Sequence, residues 1–191
     1  DMCCGVGNLE VKHSNPRNIF MSTLDSADID VMKATKTCVA AQRFQYDYLN
    51  DDITDEGKID YTLTNKVPKA LQEAIAEGKK ILILINPPYA EATNADNTSK
   101  GLEAESKTGV SLSNIGTNMN EYGYAKRELF IQFVARIAKE IPTATIAMFS
   151  TLKYVNASNF EKFRAVWNAK YLGGFIVHSK SFDGLKGDFP I

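Results

Sequence analysis

Ile81-Leu82-Ile83-Leu84-Ile85-Asn86-Pro87-Pro88-Tyr89 decides how the rest of the chain is read. Five consecutive large aliphatic residues, three of them β-branched, predict a strand buried on both faces, of the kind found inside a parallel sheet. Two prolines then end it, because neither can donate to a strand ladder. An amide, a rigid turn and an aromatic ring are therefore held at the carboxyl end of a strand. In open α/β sheets that edge is where ligands bind. Asn86 Oδ1 and the Pro87 carbonyl are hydrogen-bond acceptors, and the Tyr89 ring can stack on a flat molecule.

Strands and helices alternate on either side of this stretch. Residues 19–24 predict a strand, followed by a helix to about Lys36 with Asp25 and Ser26 as its N-cap pair. Phe44–Tyr48 predicts another strand. A helix starts near Pro68, carries Ala70, Leu71, Ala74 and Ile75, and stops at Gly78. Residues 90–120 hold Asn, Ser, Thr, Gly and Ala with few large apolar groups, which predicts a long loop, read either as a solvated, disordered insertion or as a lid that orders on a nucleic acid with Lys100 and Lys107 near phosphates. Leu129, Phe130, Phe133, Val134, Ile137 and Ile141 repeat at helical spacing within 122–141. Thr145–Phe149 predicts a strand, Phe160, Phe163, Val166 and Trp167 the core stripe of a helix, and Phe175–Val177 a last strand. The alternation argues for an α/β fold with a mostly parallel central sheet flanked by helices.

Composition narrows the function classes. At 44% hydrophobic and 24% charged, the 191 residues suit a single globular domain, and no apolar run reaches the length of a membrane span. A formal net charge of −1 is not that of a basic nucleic-acid coat, so contact with phosphates falls to a local patch or to another domain. Cys3, Cys4 and Cys38 form no CxxC pair, and their odd number suits free thiols in a reducing cytoplasm. His13 and His178 lack metal-ligand spacing and read as structural or solvated, so no metal site is expected.

The chain opens on Asp1-Met2-Cys3-Cys4-Gly5-Val6-Gly7-Asn8, a glycine turn with no strand in front of it to present it. With the abrupt close at Gly187-Asp188-Phe189-Pro190-Ile191, this leads us to expect a fragment of a longer protein. Glycines let a backbone approach a ligand closely. An acid about twenty positions on, at the end of the second strand, is the usual partner of ribose hydroxyls; Asp25 stands there, with Asp28 close behind. Asp25 also reads simply as a helix cap. Asp47-Tyr48-Leu49 closes the next strand with an acid and a ring suited to the amino group and face of an adenine, or else a surface acid beside a half-buried tyrosine.

These motifs together resemble the S-adenosylmethionine-dependent amino-methyltransferases, and most closely the DNA adenine-N6 methyltransferases of restriction-modification systems. The resemblance spans almost the whole chain. Residues Asp1–Asn8 look like the family's first motif, which cradles the methionine part of the cofactor. It implies Asp1, Cys3, Gly5, Gly7, Asn8, Asp25, Asp28, Asp47 and Tyr48 as cofactor-binding positions. Met2 stands where the family often has proline. Asn86-Pro87-Pro88-Tyr89 matches the catalytic motif, and Gly187–Ile191 is similar to a segment of the large methylases. The implied fold is Rossmann-like, with its first strand truncated and residues 1–191 forming one catalytic domain. The implied partner is DNA, read through a recognition domain outside this stretch, with a restriction or specificity component and no membrane. Protein-glutamine and ribosomal-RNA guanine-N2 methyltransferases share the motif or close variants of it. A methylase-like scaffold without catalysis is the reading from a different class.

Overall fold

The computed structural model describes residues 1–12, 16–91 and 113–182. Its elements are β1 (Phe20–Thr23), α1 (Ser26–Ala34), β2 (Gln42–Gln45), α2 (Lys69–Ala76), β3 (Leu82–Ile85), α3 (Asn114–Thr117), α4 (Leu129–Glu140), β4 (Thr145–Met148), α5 (Lys153–Asn156) and α6 (Glu161–Val166). The fold is α/β. α1 starts where expected, because Asp25 Oδ1 accepts the Ala27 amide at 2.9 Å and satisfies a donor that the helix cannot. Pro68 precedes α2, and Gly78 follows it with a φ of +64°, the left-handed turn that ends many helices.

Both strand pairs are parallel. Phe20 to Thr23 lie opposite Gln42 to Gln45, and Leu82 to Ile85 opposite Thr145 to Met148. The single central sheet expected from the sequence is divided: the described strands make two sheets of two strands each. β1 does use its second edge. Its Ile19 and Thr23 carbonyls accept from Gln42 and Tyr46 on the β2 side, whereas Phe20 and Ser22 bond residues 1–4 on the other. The Asp1 nitrogen donates to Phe20 O, the Ser22 amide to Asp1 O and the Cys4 amide to Ser22 O, each at 2.9 Å.

The larger core gathers on α4. Phe130, Ile131, Val134 and Ile137 are fully or almost fully buried against Ile83 and Ile85 of β3, Tyr46 and Tyr48 beyond β2, and Phe160 and Phe163 near α6. A smaller core joins Cys4, Met21, Ile29, Met32 and Ala41. Among the described residues no helix is long and apolar enough to cross a membrane.

Four expectations are corrected. β3 is covered on one face only: Ile83 and Ile85 are buried but Leu82 is 65% exposed, since side chains alternate along a strand and α4 lies on one side. Of the loop 90–120, residues 92–112 lie outside the described residues, but Ser113 caps α3 through its Oγ, which accepts the Gly116 amide at 3.0 Å. The helix over 122–141 is broken, because Gly123 takes φ +60° and ψ −135° and Glu128 is extended; a 3-10 stretch, Asn120–Arg127, precedes α4. Phe175–Val177 is not a strand. Phe175 and Ile176 remain 74% and 68% exposed with no ladder partner among the described residues, and strand propensity acts only where there is an edge to pair with.

Candidate active site

The aliphatic run ends as a ladder ends. Phe149 donates to the Ile85 carbonyl at 3.0 Å, and the chain then leaves β3 through Asn86 and the two prolines. Pro87 is buried and Pro88 exposed, so the turn presents one edge outward. Tyr89 Oη donates to Asn86 Oδ1 at 2.8 Å. Burial, and then the nearby Cys3, push the Tyr89 phenol up to about 12, so at neutral pH its proton is present to be donated. Beyond the turn the Leu129 amide donates to Ala90 O at 2.9 Å, and Glu91 forms an antiparallel bridge with Glu128.

The glycine turn reaches this site. Met2 and Cys3 pack against the core that holds Ile83 and Ile85, which sets Cys3 near Asn86 and Tyr89; burial raises the Cys3 thiol to about 12. Residues 1–4 therefore run between the edge of β1 and the end of β3. Asp1 Oδ1 accepts the Cys3 amide at 2.8 Å, while Asp1 Oδ2 is buried without a hydrogen-bond partner. The two glycines serve different ends. Gly5 has φ +51° and open space where a Cβ would stand. Gly7 has φ +83°, and a Cβ there would lie 2.8 Å from Met21 Cε, so its smallness serves the lesser core rather than a ligand. Asn8 is exposed.

The acids at the ends of β1 and β2 are placed unequally. Asp25 is exposed and lines an open depression with Leu24, Ser26 and Gln45. Asp28 is held by the Thr23 hydroxyl at 2.6 Å. Asp47 organises its own turn, Oδ1 accepting from the Leu49 amide and Oδ2 from Asn50 Nδ2. Tyr48 is not an exposed platform. Its ring stacks on Phe133 at 5.6 Å and lies 4.2 Å from the Arg136 guanidinium, and its hydroxyl donates to Glu140 Oε2 at 2.6 Å. At 5% exposure its ring cannot also receive an adenine.

Two charged groupings escaped the sequence reading. Arg136 is fully buried; it pairs with Glu140 at 3.3 Å and donates to the carbonyls of Tyr48 and Asp51 and to Tyr46 Oη. Tyr61 donates to the other Glu140 oxygen at 2.6 Å. The second grouping joins Lys153 to Glu128 at 2.5 Å and Glu91 at 3.7 Å. Apart from Arg136 and Glu140, one helical turn apart in α4, both are assembled from residues far apart in the chain, which carry no local spacing signal. Comparison with family models, with curated proteins and with solved structures returns no match for this chain.

Proposed function

We propose that this chain is the methyl-transferring domain of an S-adenosylmethionine-dependent DNA adenine-N6 methyltransferase of Rossmann-like type, working with a DNA-recognition domain in a restriction-modification system. The observation that carries this reading is that Met2 and Cys3, beside the glycine turn, pack on the core that holds Ile83 and Ile85, which sets Cys3 near Asn86 and Tyr89 of the strand-ending turn. It brings the two motifs of the resemblance together at one strand edge.

Several residues fit the cofactor. The orphaned Asp1 Oδ2 is an acceptor suited to its ammonium group, and the open space at Gly5 leaves the backbone approachable. Exposed Asp25 caps α1 through Oδ1 and keeps acceptor capacity on Oδ2 for ribose hydroxyls, whereas Asp28 is engaged by Thr23. Asp47 retains acceptor capacity for an amino group, and the adjoining Tyr48 anchors its turn to Phe133 of α4. When bound, the cofactor supplies a methyl group on a sulfonium.

The protein's own part is positioning and charge stabilisation. The adenine N6 lone pair is delocalised into the ring and is a poor nucleophile. Asn86 Oδ1 and Pro87 O would accept its two hydrogens, favour a more tetrahedral nitrogen, and stabilise the positive charge that develops there. Tyr89 would stack on the base, which must leave a duplex to reach the turn. The Tyr89 hydroxyl now occupies Asn86 Oδ1 and stands where a substrate N–H would donate. Incubation with labelled cofactor and adenine-containing duplex DNA, followed by mapping of the modified base, tests the reading. N6-methyladenine is expected, lost in Asn86→Ala with cofactor affinity retained. Label on protein glutamine or RNA guanine, or full turnover by Asn86→Ala, would refute it.

A further inference from the structure

We propose that Lys153 is a positioning residue that holds the exit of the 86–89 turn, an inference that rests on the catalytic reading of that turn. The turn cannot be fixed by β3 alone, since it leaves the ladder at Asn86. Its exit is fixed by the Leu129 amide on Ala90 O and by the bridge between Glu91 and Glu128. That bridge sets two carboxylates opposite one another, a repulsive cross-strand pair. Glu128 is also 4% exposed, so its charge is costly without a counterion. Lys153 meets both needs. It lies at the start of α5, just past β4, and its ammonium stands 2.5 Å from Glu128 Oε1 and 3.7 Å from Glu91 Oε2. The Tyr124 hydroxyl braces the remaining Glu91 oxygen at 2.5 Å. One cation thereby ties the segment after β4 to the segment after β3.

Leu129 gives a direct readout. As the first residue of α4 its amide has no partner within the helix, so its protection reports the bond to Ala90 O. Lys153→Met should speed Leu129 amide exchange by about tenfold while amides in the middle of α4 keep their protection. In the methyl-transfer assay it should lower kcat by about tenfold or more with KM for the cofactor unchanged. Lys153→Arg, or Glu128→Gln added to Lys153→Met, should restore both. Unchanged Leu129 exchange in Lys153→Met overturns the proposal, as does a kcat loss that neither restoring change repairs. If the wild-type protein transfers no methyl group, the catalytic reading fails by itself, and Leu129 exchange still decides whether Lys153 holds the turn.

Discussion

Tyr89 has two things to offer, a ring and a hydroxyl, and the structure sets them against each other. The ring is the stacking surface, while the hydroxyl holds the amide oxygen that a substrate amine would need. A net hydrogen bond is worth about 0.5–1.5 kcal/mol. Tyr89→Phe keeps the ring and frees the acceptor, so affinity for DNA carrying a flipped target adenine should rise by roughly two- to tenfold. Tyr89→Ala should weaken it by about 1–3 kcal/mol, the scale of one stacked base. Equal weakening in both variants would show that the hydroxyl helps rather than competes. The Cys3 thiol near this ring and the neighbouring Cys4 are chemically quiet. Burial raises Cys3 and Cys4 to about 12, so at pH 8 almost all of each is the unreactive protonated form. Alkylation by iodoacetamide should run roughly a thousand times slower than for an ordinary cysteine and gain about tenfold per pH unit until the thiol titrates. Rapid labelling of Cys3 at pH 8, read by peptide mass, would contradict this. Gly7 shows a residue whose purpose differs from its motif. A Cβ would demand a strained φ and collide with Met21, so Gly7→Ala should destabilise by about 1–3 kcal/mol even with no ligand present.

At the scale of elements, the grip of α4 on the chain after β2 is the most consequential packing outside the sheets. Arg136 is buried on its apolar helix and closes the 46–51 turn by bonding two carbonyls and a phenol. Removing one partner of such a pair leaves an uncompensated buried charge, at a cost of about 3–5 kcal/mol. Arg136→Met should lose that much in urea unfolding. Glu140→Gln, which keeps hydrogen-bonding atoms near Tyr48 and Tyr61, should lose less; the reverse ranking would mean that the carboxylate, not the guanidinium, organises the turn. The closure of the 46–51 turn by Arg136 was not legible in the sequence. Arg136 fell within the stripe of α4 without belonging to its apolar pattern, and its partners on the 46–51 turn stand more than eighty residues away. What was legible was local. The N-cap at Asp25, the stop at Gly78 and the proline-ended strand depend on neighbours within a few positions, and they form where expected. The helix across Gly123 and the strand at Phe175 failed because a glycine conformation and a missing pairing edge outweighed periodicity and propensity. In the candidate site, the turn and the acid at the end of β1 were readable, whereas Tyr48 was misjudged because covering a ring is a long-range event.

For the whole molecule, the divided sheet implies unequal stability. Two-stranded pairs are marginal unless something packs on them. β3 and β4 have α4 and the many aromatic residues around it. β1 and α1 share only the small cluster of Cys4, Met21, Ile29, Met32 and Ala41 with their neighbours. Opening of this smaller unit should therefore require less free energy than global unfolding, and its amides should exchange before those of α4. Met32 is fully buried at its centre, and truncation of a buried methionine costs about 2–5 kcal/mol. Met32→Ala should thus strip protection from the amides of β1 and α1 in native-state hydrogen exchange. The amides of Ile131 to Ile137 should keep theirs at low denaturant. Because residues 1–4 bond β1 on one side and lie near Asn86 on the other, the same variant should loosen the glycine turn and weaken S-adenosylmethionine binding, with Asn86 and Tyr89 untouched. Equal loss of protection across α4 would mean that the two cores unfold as one cooperative unit and that the division of the sheet has no energetic counterpart.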